Sequence, residues 1–184
     1  ESGQYKNVMV IGADTMSSIV DYTDRNTCVI FGDGGGGVLL EPSEDETGIV
    51  DSILHADGSG SKYLTVPAGG SLHPASKDTV DKRMHYVYQD GKTVFKFAVK
   101  NMAEVSKRIL DRNQLTGNDI KLFIPHQANQ RIIDAAAKRC GLDDEKVFIN
   151  INKYGNTTAG TIPIALDEAV ESNRLTKNDM LLFA

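Results

Sequence analysis

The feature that most constrains this chain is a change of hydrophobic period along it. Short apolar runs rich in β-branched residues lie at residues 7–12, 27–31, 38–40 and 48–56. Runs of that length, bounded by glycine or charged residues, read as buried strands. From residue 94 the period changes. Val94, Ala98, Met102, Val105 and Ile109 recur at helical spacing, with Lys92, Lys96, Lys100 and Lys107 off the stripe. That pattern predicts an amphipathic helix of about five turns. Strands and helices then alternate: a strand over 120–124 that stops at Pro125, a helix over 130–140 ended by Gly141, and a strand over 147–151. A helix over 162–170, with Pro163 tolerated in its first turn, and a strand over 180–183 follow. Such alternation implies an α/β fold with a layered sheet. Gly32 to Gly37 is expected to join two strands as a turn, and residues 57–78, rich in Gly, Ser and Pro, to form a long surface loop.

Composition narrows the function classes. With 184 residues, 40% of them hydrophobic and 24% charged, the chain has enough apolar material for one ordinary domain with a core. It contains no apolar stretch of about 18 residues, and its opening residues do not read as a signal peptide. The net charge of −5 argues against general nucleic-acid binding. Cys28 and Cys140 have no ligand-like spacing, which fits a reducing cytoplasm better than a disulfide scaffold. Gly3 reads as the stop of a helix, and residues 180–184 as an apolar strand without a polar tail, so both ends are expected to have been cut from a larger fold. The chain alone is then expected to be poorly soluble, because it would expose half of a layered core.

Of the histidines at 55, 73, 85 and 126, His126 stands out by position. It follows the predicted strand over 120–124, at the carboxyl edge where ligands gather in open α/β sheets. Asn129, just beyond, is placed to cap the next helix, and a cap alone would account for it. Asn156 lies in Lys153-Tyr154-Gly155-Asn156-Thr157-Thr158-Ala159-Gly160-Thr161, between a strand and a helix. Small residues there permit close backbone approach, while an ordinary turn asparagine is the plainer account. The glycine run lacks a following Lys-Ser or Lys-Thr and leads into a strand, so it is not a P-loop; tight packing between strands explains it better. Arg131 and Lys138, seven residues apart, share a helical face. On an acidic protein that face is either a docking surface for an acidic partner or simply solvated.

Taken together, these segments resemble a known family. Pro125-His126-Gln127-Ala128-Asn129-Gln130-Arg131-Ile132-Ile133 is similar to the histidine motif of the β-ketoacyl-[acyl carrier protein] synthase III family. Gly155-Asn156-Thr157-Thr158-Ala159-Gly160-Thr161-Ile162-Pro163 is similar to its asparagine motif, continued by Leu166-Asp167-Glu168-Ala169. Phe31-Gly32-Asp33-Gly34 and Leu54-His55-Ala56-Asp57-Gly58 match in the same order. Gly35 and Gly37 stand where the family usually has alanines, and Thr158 and Gly160 where it often has serine and alanine; all of these exchanges keep the residues small. The family's nucleophilic cysteine, at the start of a helix in its first half, has no counterpart here.

The resemblance implies a thiolase-like, layered α/β/α/β/α fold. Residues 1–42 would be the end of its N-terminal half and residues 43–184 most of its C-terminal half, with the acidic segment 41–47 as the boundary. It implies decarboxylative condensation of acyl-CoA with malonyl-[acyl carrier protein], with acyl-CoA as substrate and no metal or cofactor. His126 and Asn156 would be catalytic, donating hydrogen bonds to the enolate oxygen. Arg25 would pack on the adenine of coenzyme A, Gly91 and Asn129 would line the pantetheine tunnel, and Phe31 and Leu54 would wall the acyl pocket unless they are plain core. Arg131, with Lys138, would dock the acyl carrier protein. The missing N-terminal portion and a homodimer partner are also implied, and the chain alone would be inactive. A non-catalytic carrier-binding module, or a sister enzyme of the chalcone-synthase or hydroxymethylglutaryl-CoA-synthase kind, is the competing expectation.

Overall fold

The computed structural model describes residues 4–45 and 47–184. Gly3, expected to stop a helix, and Glu46, within the acidic boundary segment, lie outside the described residues. In chain order the strands are β1 (Val8–Asp14), β2 (Gly34–Leu40), β3 (Leu64–Thr65), β4 (Tyr88–Gln89), β5 (Leu122–Ile124) and β6 (Leu181–Phe183). The α-helices are α1 (Lys77–Asp81), α2 (Gly91–Arg112), α3 (Gln130–Arg139), α4 (Ile151–Tyr154) and α5 (Thr161–Glu171). β1 pairs antiparallel with β2, β3 antiparallel with β4, and β5 parallel with β6.

Side-chain alternation along β5 builds the layers. Phe123 faces one side, where it packs with Leu182 of β6, Ile133 and Ala136 of α3, and Leu110 of α2. Leu122 and Ile124 face the other, against Ala165 and Ala169 of α5. The far side of α5 meets β2: a Cβ added at Gly36 would lie 2.9 Å from Pro163 Cβ, and one at Gly34 2.8 Å from Ile164 Cδ1. The order of layers is therefore β1–β2, then α5, then β5–β6, then α2 with α3.

The helices start and stop where local chemistry dictates. Asp90 caps α2 by accepting from the Thr93 N–H at 3.0 Å, and Asn129 caps α3 by accepting from the Arg131 N–H at 2.9 Å. Gly141, just beyond α3, has φ +67°, a conformation glycine adopts without strain. Pro163 sits in the first turn of α5, where its missing N–H costs nothing. Along α2 the fully buried residues are Ser106 and Leu110, while the predicted stripe is half-buried; the buried line runs about one residue beside it.

Four expectations are corrected. Residues 27–31 are not a strand but a turn organised by Asp24, whose carboxylate accepts from the Asn26 N–H and the Thr27 hydroxyl, each at 2.9 Å. Cys28 therefore sits in a turn. The glycine run is not a turn: Gly34 to Gly37 lie within β2, in register with β1 from Asp14↔Gly34 to Val8↔Leu40. Residues 48–56 form no strand; Asp51 is instead held by Arg112 Nε at 2.7 Å and Asn113 Nδ2 at 2.7 Å. Over 147–151 only Val147 bridges to Phe123, and the chain enters α4 at Ile151. The expected loop over 57–78 also holds structure, a 3₁₀ segment over Gly58–Tyr63, then β3 and the start of α1.

One close approach between β1 and the loop before α5 involves backbone. A Cβ at Gly12 would lie 2.2 Å from the Ala159 carbonyl oxygen, whereas one at Gly58 would meet nothing within 4 Å. Gly12→Ala is expected to lower stability by about 1–3 kcal/mol through overpacking, and Gly58→Ala to stay within about 0.5 kcal/mol of the parent. Thermal denaturation measures both; equal midpoints for the two variants would contradict this packing.

Candidate active site

His126 follows β5 directly. Its N–H donates to the Ala184 carbonyl at 2.6 Å, which extends the β5–β6 pairing past the strand end. The imidazole is half-buried and, among the described residues, makes no hydrogen bond. Burial pushes its pKa below the ordinary histidine value of 6.5, so the ring is held neutral near pH 7.

Gln127, next in sequence and 2% exposed, determines where that ring sits. Its N–H donates to Thr161 Oγ1 at 2.8 Å. Its Nε2 donates to the carbonyls of Pro125 at 3.0 Å and Phe148 at 3.1 Å, and its Oε1 accepts from the Asn150 N–H at 3.0 Å. The side chain thus takes up backbone groups of 148–150 that a strand partner would otherwise satisfy, which is why the strand expected there is so short. Asn150 in turn donates to Glu168 Oε2 at 2.7 Å, and Lys153 and Tyr154 bond Glu168 Oε1, so α4 is tied to α5.

Asn156 is 8% exposed and bridged through its backbone to Phe31. Its N–H donates to the Ile30 carbonyl at 2.9 Å, and the Gly32 N–H donates to its carbonyl at 3.0 Å. Its Oδ1 accepts from the Thr158 N–H at 2.9 Å. That bond orients the amide and leaves Nδ2 with no partner among the described residues. Thr158, at φ +47°, is held in place by Asp14 at the end of β1, which accepts from the Thr158 hydroxyl and, at 2.9 Å, from the Ala159 N–H. These bonds, the hydroxyl's foremost, lower the Asp14 pKa. The Gln127–Thr161 bond ties the His126 loop to α5, five residues after Asn156. Asp33, just before β2, accepts from the N–H and hydroxyl of Ser17.

The other candidates are placed as follows. Asn129 is a helix cap, with its Nδ2 uncommitted among the described residues. Arg131 and Lys138 are exposed on one face of α3, with Asp134 between them, and the Arg131 guanidinium lies 4.9 Å from the centre of the Phe95 ring of α2. Arg25 is exposed on the turn after Asp24, and Phe31 is half-buried. Leu54 is 93% exposed, which rules out plain core packing in this chain; its neighbours Ile53 and His55 line a cavity of about 520 Å³. A Cβ at Gly91 would meet nothing within 4 Å. Cys140 is buried at the end of α3, and burial pushes its thiol pKa up, the reverse of what a nucleophile needs. Among the described residues no group of three or more His, Cys, Asp or Glu is placed to hold a metal ion, and no helix is long and apolar enough to cross a membrane.

Gln127, Thr161 and Asp14 were not singled out from sequence as functional. Gln127 carries the strongest signal of the three, a polar residue next to the candidate histidine. Asp14 carries none, because its partners lie 144 and 145 residues away.

The family described as 3-oxoacyl-[acyl-carrier-protein (ACP)] synthase III matches residues 1–58, and the C-terminal family of the same synthase matches residues 110–184. The chain is 58% identical over 186 residues to the β-ketoacyl-[acyl-carrier-protein] synthase III of Koribacter versatilis, covering all of this chain and 56% of that protein. It superposes on the crystal structure of 3-oxoacyl-[acyl-carrier-protein] synthase III from Aquifex aeolicus with a TM-score of 0.85 at 42% identity, covering 99% of this chain and 54% of that one. The Thermus thermophilus β-ketoacyl-[acyl carrier protein] synthase III gives a TM-score of 0.86 at 39% identity, covering 99% and 56%. The chain spans about half the length of the curated relatives it matches. Its fold is the thiolase-like α/β kind, and the chain belongs to the 3-oxoacyl-[acyl-carrier-protein] synthase III family.

Proposed function

We propose that this chain supplies the enolate-stabilising part of a condensing enzyme that joins acyl-CoA to malonyl-[acyl carrier protein] and so begins a fatty acid. In that reaction the malonyl thioester loses CO₂, and the released electron pair is delocalised onto its thioester oxygen. The carbanion carbon then attacks the acyl-enzyme carbonyl, a C–C bond forms, and the cysteine thiolate leaves. The observation that carries this assignment is that His126 and Asn156 keep side-chain donors without partners among the described residues, on loops that Gln127, Thr161 and Asp14 pin in place. Two preorganised neutral donors are what a developing enolate oxygen requires. No resident metal or cofactor is needed, since acyl-CoA enters as substrate.

We assign the nucleophile to neither cysteine, Cys140 being buried and Cys28 lying in a turn, so on this reading the thiol belongs to the remainder of the enzyme and the chain alone is inactive. Arg25, Phe31, Leu54, Gly91 and Asn129 are assigned to substrate binding, and Arg131 and Lys138 to the acidic carrier protein. The exposed apolar residues Met9, Ile11 and Leu39 on β1 and β2 supply the kind of surface a homodimer would cover. We place the enzyme in the cytoplasm.

In the protein at the full length of its relatives, His126→Ala and Asn156→Ala are each expected to slow malonyl-carrier decarboxylation by about 10²–10³-fold. A carrier-docking module without catalysis would instead depend on Arg131 and Lys138 and ignore His126; condensation unchanged in His126→Ala would establish that alternative. The acid limb of kcat/KM is expected to have its midpoint below 6.5, because burial lowers the His126 pKa from that value. Folding stability should likewise fall as pH drops through about 6.5, since the unfolded chain takes up the imidazole proton first; a pH titration of the denaturation midpoint checks the sign. Gln127→Leu strands the Phe148 carbonyl and the Asn150 N–H in the interior. It is expected to cost about 2–4 kcal/mol in denaturation experiments and about 10–100-fold in kcat through misplacement of His126.

A further inference from the structure

Arg83 combines three features. It follows the last turn of α1 in the left-handed region, at φ +56°, a helix-end position that glycine fills without strain. Its guanidinium lies 4.9 Å from the centre of the Tyr86 ring. It also grips Asp21, 62 residues earlier, by two bonds: Nε to Oδ2 at 3.0 Å and Nη2 to Oδ1 at 2.6 Å. An ordinary exposed ion pair contributes little. This one is bidentate, and the Asp21 side chain is only 15% exposed. The Arg83 bonds, foremost among several, hold the Asp21 carboxyl far below the usual carboxylate range. Main chain nearby repeats the attachment: the Val87 N–H donates to the Ile19 carbonyl at 2.8 Å, and Val20 and Val87 are both buried.

What Asp21 holds is a turn. Its carboxylate also accepts from the Thr23 N–H at 2.9 Å and the Thr23 hydroxyl at 2.7 Å, and its carbonyl accepts from the Asp24 N–H at 2.9 Å. The Asp24 carboxylate then organises the residues that follow, through Asn26 and Thr27. Arg25 stands on this doubly capped turn, exposed and with no partner among the described residues. On the other side of the pair, the chain after Arg83 runs through Val87 and β4 to Asp90 and Gly91 at the start of α2. Arg25 and Gly91 are thus carried by two segments that Arg83 and Val87 fasten together.

We propose that Asp21 and Arg83 form a positioning pair for acyl-CoA, fixing the turn that presents Arg25 and so setting the affinity for the nucleotide end of that substrate. This deepens the assignment of Arg25 to substrate binding and rests on it. A free guanidinium recognises a phosphate or an aromatic ring by its planar geometry, and it does so at low entropic cost when the turn beneath it is already ordered. Bonds within residues 21–28 give the turn its shape, whereas Arg83 and Val87 fix where it points. Neither member of the pair takes part in the chemistry.

Steady-state kinetics on the full-length protein test this with two acyl donors: acetyl-CoA, and acetyl-pantetheine, which carries the same thioester without the nucleotide. Arg83→Met and Asp21→Asn are each expected to lower kcat/KM for acetyl-CoA by about three- to tenfold, through KM, with kcat within about twofold of the parent. Acetyl-pantetheine should be used as before. Arg83→Lys keeps the charge but loses the fork, and should fall between parent and Arg83→Met. In an Arg25→Ala background Arg83→Met should add little, because its effect passes through Arg25. Thermal midpoints identify which variants are folded. A folded Arg83→Met that uses acetyl-CoA as the parent does makes the pair a plain surface contact and overturns the proposal. Equal losses with both donors, or a full further loss in the Arg25→Ala background, show Arg83 acting other than through Arg25 and overturn it too. Arg25→Ala without effect on acetyl-CoA removes the Arg25 assignment and the positioning role with it. A parent that accepts no acyl-CoA defeats the underlying reading of the substrate, and the pair's role falls with that.

Discussion

The buried carboxamide of Gln127 is the interaction on which the arrangement of this chain depends. A glutamine in a protein interior is costly unless its donors and acceptor are met. Here Nε2 meets two carbonyls and Oε1 meets one N–H, all from backbone. Those partners belong to the end of β5 and to the 148–150 segment, while the residue's own N–H reaches the first residue of α5. Three stretches of chain are thus registered against one side chain. His126, adjacent to it, inherits a fixed position without making a side-chain bond to any described residue, and its imidazole stays uncommitted among them.

A second constraint is the near absence of side chains along β2. Gly34 and Gly36 bring that strand against Thr157, Pro163 and Ile164, and Gly160 in turn rests on Gly34. Any Cβ on those faces would push α5 away from β2 and open the loop that carries Asn156. The strand accepts glycine's weak β propensity in exchange for this approach. Asp14, at the end of the paired β1, completes the arrangement by holding Thr158 and Ala159. The layers and the asparagine loop are therefore consequences of the same packing.

Electrostatics separates the groups that are poised from those that are inert. Burial keeps His126 neutral, and burial also keeps the Cys140 thiol protonated at the end of α3. One environment produces a usable donor, the other a packed core atom. Arg131 stacks on Phe95 and so does more than contribute surface charge: its guanidinium holds two helix starts together.

Much of this was legible in the residues. The helical stripe of α2, the cap Asn129, Pro163 in the first turn of α5 and the strand ending at Pro125 all follow from local rules, because each concerns residues within a turn or two of one another. The alternation of strand and helix determined the α/β class, and the motifs around His126 and Asn156 determined the family. What local rules missed is equally specific. The glycine run looked like a turn because only its distant neighbours, Pro163 and Ile164, make a glycine strand sensible. Residues 48–56 carry strand-like composition, yet no strand among the described residues pairs with them. Residues 147–151 lose most of their ladder to the Gln127 side chain. By itself, then, the sequence determined the class of fold, the family and the places of α2, α3 and α5, and it singled out His126 and Asn156 as candidates. Tertiary structure alone decided which donors stay free and which residues pin them, because those bonds join atoms tens to more than a hundred residues apart and no periodicity encodes them.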